Sequence, residues 1–226
     1  MATPPASPPP PPPTVRAQLL ATEHWGLLAA RSTAQSEVLT RISIFLTLFS
    51  AGLVSIALIG QATKFSGVFG PASISVLAIV VIIGQLTQIR VINIGYEDLM
   101  YVLAMNRMRA AYVELDPGVE PYLMAGTHDD LAGVNRTYYF LGTRTTASHL
   151  GGSSMVLIMV VNAILLGLLA AAIALTVGAP MWLIFVIGGV IAVGFFVYKT
   201  VAGARAYAAQ WTRYTPLSPT PEAEPQ

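Results

Sequence analysis

The sequence predicts an all-α membrane protein whose four transmembrane helices form two hairpins, with helical extensions on the cytoplasmic side. Three observations predict it. Of 226 residues, 54% are hydrophobic and only 10% charged, whereas soluble domains carry roughly 25% charged residues. The apolar residues are gathered in blocks: no charged residue occurs from Ile42 to Thr63 or from Phe65 to Ile89, and only the titratable His149 interrupts Thr145 to Tyr198. Each block is long enough for the roughly 20 apolar residues that cross a bilayer core as a helix.

Taken in order, residues 1–13 hold eight prolines, which exclude helix and sheet and predict a solvated, disordered tail. It lacks the basic start and apolar stretch of a secretory signal. Residues 14–41 form a loosely amphipathic helical arm. This arm either runs straight into the first span or breaks at Ser32, which with Gln35 matches a capping box. Residues 42–89 are the first transmembrane hairpin, with spans of about Ile42–Gly60 and Pro71–Gln88. The block that follows the central segment is too long for one span and divides at Gly178, Ala179 and Pro180. That division makes residues 155–198 the second hairpin. Residues 199–226 are a C-terminal arm and a second tail, disordered from Pro216 because of its four prolines and two glutamates.

The central segment, residues 90–154, reads as two helices around a turn. The second span continues past Arg90. Tyr101, Met105, Met108, Tyr112 and Leu115 then follow one another at spacings of 4, 3, 4 and 3, forming a contact stripe with Asn106, Arg107 and Ala110 away from it. Asp116, Pro117 and Gly118 end this helix. Asp129 or Asp130 caps a second helix through Leu131, Val134, Tyr138 and Leu141, which Gly151 and Gly152 end. A weak internal repeat relates Arg31–Ala34 to Arg144–Ala147, each placed eleven residues before a span.

Orientation follows from the basic residues, which are retained on the cytoplasmic side of membrane helices. The loops within the hairpins hold Lys64 alone, so eleven of the twelve Lys and Arg lie in the N-terminal arm, central segment and C-terminal arm. This places both termini in the cytoplasm and the chain in the cell inner (plasma) membrane as a multi-pass protein.

Chemistry is sparse. There are no cysteines, and hence no thiolate chemistry. A net charge of +1, with scattered arginines, gives no footprint for nucleic acid. His128, Asp129 and Asp130 are adjacent, yet three consecutive residues cannot all face one ion, and a turn and helix cap explains them. Glu23 with His24 and Glu97 with Asp98 read as isolated membrane-proximal pairs on solvated or interfacial faces. No nucleophile elbow or phosphate loop is present, so the reading is of a protein that is not an enzyme and has no cofactor.

Inside the spans, Asn162, Gln85 and Gln88 are the polar candidates for helix packing or a pore. Gly167 belongs to a small-residue face with Ala163 and Ala171 that would let helices approach closely. The partners expected are the lipid bilayer and either a second copy of the chain or another membrane protein. The functional expectation is a structural or regulatory protein acting through helix association; the alternative is an oligomeric pore, channel or small transporter.

Glu23, His24, Trp25 and Arg31 before the first span, Asn106 to Arg109 in the central helix, and Glu120, Pro121, Tyr122 with His128 to Asp130 after it carry a resemblance. In these the chain resembles a group of uncharacterised bacterial, chiefly actinobacterial, four-span membrane proteins, and the resemblance implies the same fold but no activity. The layout of a helix followed by a hairpin is also similar to the two-span effectors of bacterial defence systems.

Overall fold

The computed structural model describes residues 12–142 and 152–221. All regular structure among them is helical. Helix α1 (Pro13–Thr63), α2 (Phe69–Leu115), α4 (Ser154–Thr176) and α5 (Met181–Arg213) are each long and apolar enough to cross a membrane. Between α2 and α4 lie a short 3₁₀ helix (Pro117–Tyr122) and α3 (Leu131–Tyr138). The chain is an all-α, multi-pass membrane protein.

Pro13 occupies the first position of α1, where its missing N–H has no helical partner to lose and its fixed φ suits the helix. No break occurs at Ser32. The stretch from Ala29 to Ala34 contains neither Gly nor Pro, and the Thr33 hydroxyl donates back to the Ala29 carbonyl at 3.0 Å. Within the apolar part of α1, the Ser43, Thr47, Ser50 and Ser55 hydroxyls likewise donate to carbonyls four residues earlier. The helix satisfies them itself, as it must where no water is present.

Both hairpin turns are short. After α1 the chain reverses with Lys64, Phe65 and Gly67 at positive φ, and the Phe65 N–H reaches the Gly60 carbonyl at 2.9 Å. After α4, Gly178 at φ +77 lets the Ala179 N–H return to the Ala174 carbonyl at 3.1 Å. This closes the helix as a C-terminal glycine does, and Pro180 starts the next.

The chain divides into two compact units. The membrane unit comprises residues 34–97 and 152–214 of the described chain, the helical unit residues 12–33, 98–142 and 215–221. In the membrane unit neighbouring helices pack antiparallel. Gly52 of α1 faces Val76 and Val80 of α2. Gly70, Gly84 and Gly95 of α2 face Thr176, Asn162 and Met155 of α4, and Gly167 of α4 faces Gly188 and Ala192 of α5. Large apolar residues such as Leu58, Ile82, Leu86, Phe185 and Val193 remain exposed, which is what helices facing lipid require.

Two expectations need correction. Helix α3 ends at Tyr138, not near Gly151, because β-branched and aromatic residues, Thr137 to Phe140, are poor helix formers and Gly142 then takes φ +114. Helix α5 continues to Arg213, so the C-terminal arm expected after Tyr198 begins as fifteen helical residues. Residues 216–221 are not a loose tail; the bonds that hold them are described below. Residues 1–11, the Arg144–Ala147 half of the suggested repeat, and Gly151 lie outside the described residues.

Candidate functional site

In the membrane unit the structure brings together two of the polar residues singled out in the sequence. Asn162 of α4 donates its amide to the Gly84 carbonyl at 2.9 Å and to Gln88 Oε1 at 2.8 Å. Asn162 and Gln88 are both buried, as is Phe45 of α1, whose ring lies against Gly84. Three helices therefore meet at Gly84. A β-carbon there would overlap Asn162 Oδ1 and approach the Phe45 ring to 2.9 Å. Gln85 stands outside this contact, and among the described residues its buried Nε2, Asn162 Oδ1 and Gln88 Nε2 have no hydrogen-bond partner. Gly167 sits at the crossing of α4 and α5, where an added β-carbon would come to 2.6 Å from the Gly188 carbonyl oxygen.

Beyond the apolar spans the same unit carries an ion-pair cluster. Arg90 donates to both carboxylate oxygens of Glu37, at 3.1 and 2.9 Å, and to Glu97 at 2.7 Å. Arg41 also pairs with Glu37 at 2.8 Å. Hydrogen bonds from Arg90, and then from Arg41, hold the Glu37 carboxyl down to about 2. Glu97 and Asp98, adjacent in sequence and expected on a solvated or interfacial face, serve different units.

In the helical unit, Asp98 receives both Arg31 nitrogens at 2.6 and 3.1 Å and the Tyr138 hydroxyl at 2.5 Å. The Arg31 guanidinium also lies 5.8 Å from the Tyr138 ring centre. This joins the N-terminal arm, α2 and α3. Of the predicted stripe, Met105 is buried, while Tyr101, Met108, Tyr112 and Leu115 are half-buried. Tyr112 meets the arm: its hydroxyl donates to the Leu20 carbonyl at 3.1 Å and its ring stacks on His24 at 5.8 Å.

Asn106, placed away from the stripe by its polarity, is fully buried. Its Nδ2 donates to the His128 carbonyl at 2.8 Å, and its Oδ1 accepts from Thr137 at 2.8 Å and Arg109 at 2.7 Å. Apolar spacing misses such a contact because the partners are polar groups brought from another segment. Its buried apolar neighbours, Val102 and Leu103, were the available signal.

Asp130 is the cap of α3, accepting from the Gly133 N–H at 2.8 Å. Asp129 turns inward and is fully buried. It accepts from Arg107 Nε at 2.5 Å, from the Leu217 N–H at 3.0 Å and from the Ser218 N–H at 2.7 Å, while its own N–H donates to the Ser218 carbonyl at 3.1 Å. Asp130 additionally accepts from the Thr220 N–H and hydroxyl at 2.7 and 2.9 Å. Burial acts to raise the Asp130 carboxyl, yet the bonds from Gly133 and Thr220 outweigh it and the net displacement is downward. The two aspartates thus clasp the C-terminal segment. Among the described residues no group of His, Asp and Glu is arranged to hold a metal ion.

Comparison with protein-family models, with curated proteins and with solved structures returned no match to this chain.

Proposed function

We propose that this chain is a non-enzymatic protein of a bacterial plasma membrane, structural or regulatory in kind, which acts through helix association. Its bundle anchors a helical unit on the cytoplasmic side, as the eleven-to-one division of Lys and Arg supports.

The observation that carries this reading is the outer face of the N-terminal arm. Val15, Leu19, Thr22, Gly26, Ala29 and Thr33 are all exposed, carry no charge, and follow spacings of 4, 3, 4, 3 and 4. That is the seam geometry of paired helices. The arm's other face is engaged within the chain, with Tyr112 on Leu20 and His24 and Asp98 on Arg31. Helix seams this short are weak alone, and confinement of copies in one membrane raises their effective concentration. The occupant we infer is the same face of a second copy.

A pore has less support. Of Asn162, Gln85 and Gln88, which would have to line it, Asn162 and Gln88 are bonded to each other inside a single bundle.

The native chain has no cysteine, so single cysteines report contacts cleanly. Thr22→Cys and Ala29→Cys should form disulfide-linked dimers in membranes under mild oxidation, and Leu28→Cys, exposed on another face, should not. Equal cross-linking at all three positions, or none at Thr22 and Ala29, would overturn the reading.

A further inference from the structure

The membrane-crossing helices differ in what surrounds their cations. Of the six arginines on α1 and α2, five pair with a carboxylate: Arg16, Arg31, Arg41, Arg90 and Arg107. The cations on α5, Lys199, Arg205 and Arg213, have no ion-pair partner among the described residues. Their own stretch of sequence offers none, since no Asp or Glu occurs from Leu131 to Pro221. The chain neutralises most of the positive charge on α1 and α2 and none of that on α5.

Two of the α5 cations stand where hydrocarbon gives way to headgroups. The uncharged run of α5 ends at Tyr198, which is exposed, as tyrosines at a membrane interface are. Lys199 follows directly, and Arg205 lies seven residues beyond Tyr198 on the same helix face. Helical side chains lean toward the helix N-terminus, which on α5 is toward the span. Lys199 does so: its ammonium lies 5.5 Å from the ring centre of Phe195, one turn back. Arg205 stands about 9 Å further along than Lys199, and its long side chain, leaning back, brings the guanidinium to a headgroup layer about 5–8 Å deep. Residues 203–210 are all exposed, so nothing in the described chain covers Arg205. Arg213, about 21 Å beyond Lys199, stands outside that layer.

We propose that Lys199 and Arg205 form a docking surface for the anionic headgroups of membrane phospholipids, of the phosphatidylglycerol class. The charges are complementary, and Gly203, Ala204 and Ala206 are too small to shield the guanidinium from a headgroup. Attraction of a free Lys or Arg to an anionic membrane surface is about fivefold per cation; a cation already paired with a carboxylate gains little. That the leaflet concerned is the cytoplasmic one rests on the orientation proposed above. The lipid preference does not, and a bilayer of equal composition on both sides tests it alone.

The test uses the full chain in nanodiscs of mixed phosphatidylcholine and phosphatidylglycerol. Trp25→Phe, Trp182→Phe and Trp211→Phe remove the native tryptophans, and Tyr198→Trp places one reporter beside the two cations. Its quenching by phosphatidylglycerol brominated on the acyl chains is compared with quenching by brominated phosphatidylcholine. Phosphatidylglycerol should be favoured at the reporter at least about fivefold. Lys199→Gln with Arg205→Gln should remove the preference, each single variant should lose part of it, and Lys199→Arg with Arg205→Lys should retain it. Arg213→Gln, beyond the headgroups, and Arg41→Gln, an equal loss of charge at a cation paired with Glu37, should leave it unchanged. A circular dichroism melt of each variant separates lost binding from lost fold. Equal quenching by the two lipids in the parent, a preference that survives in the folded double variant, or one that falls as far in Arg41→Gln as in Arg205→Gln would overturn the proposal.

Discussion

Replacing Gly84 by Ala tests the three-helix contact at its tightest point. The new methyl group would overlap Asn162 Oδ1 and press the buried Phe45 ring at 2.9 Å. Overpacking of this kind costs about 1–3 kcal/mol. Asn162→Ala removes two hydrogen bonds, to Gly84 and Gln88, each worth about 0.6 kcal/mol on average in a membrane bundle and up to about 1.7. Independent effects would therefore sum to about 2–6 kcal/mol. They are not independent, because Asn162→Ala also removes the atom that the introduced methyl group meets. The double variant should be less destabilised than the sum of the singles by at least about 1 kcal/mol. Reversible unfolding in mixed micelles, followed by circular dichroism, measures all four corners of the cycle. Strict additivity, or a Gly84→Ala variant as stable as the parent, would refute the contact as described.

Asp129→Asn should release the C-terminal segment, since one amide cannot accept from Arg107, Leu217 and Ser218 together. Limited proteolysis should then cut within residues 215–221, and stability should fall by about 2 kcal/mol or more; an unchanged digestion pattern would contradict the clasp. Glu37 has its carboxyl lowered from 4.5 to about 2, so the stability it contributes is fully present above about pH 4.5 and is lost as pH falls toward 2. The stability difference between the parent and Glu37→Gln should accordingly close over that window, and a difference independent of pH would show that the Arg90 and Arg41 bonds do not hold Glu37.

Much of the membrane unit was legible because lipid imposes a simple rule: long uncharged blocks must be helices that satisfy their own backbone. The four spans and both turns follow from that rule, with Gly178 and Pro180 marking the second turn. Asn162 and Gln88 stood out for the same reason, as polar groups in hydrocarbon need partners. The helical unit was read less well. It is assembled from three stretches distant in sequence, and its interior sets buried Asn106 and Asp129 among Val102, Met105 and Val134. Periodicity found Met105 and Tyr112 but set Asn106 on the outside, because nothing local shows that His128, Thr137 and Arg109 converge on it. The Pro-rich composition after Pro216 suggested disorder, whereas a few backbone N–H groups meeting Asp129 and Asp130 suffice to hold the segment. Composition does not register such bonds.

The orientation of the bundle carries the account, since it decides which surfaces a partner can reach. Single cysteines at Lys64, Ala179 and Tyr122 can be probed with a membrane-impermeant maleimide in intact cells, with and without permeabilisation. Tyr122 is suited to this because it is 84% exposed. The account predicts labelling of Lys64→Cys and Ala179→Cys from outside, and of Tyr122→Cys only after permeabilisation; labelling of Tyr122→Cys in intact cells would contradict it.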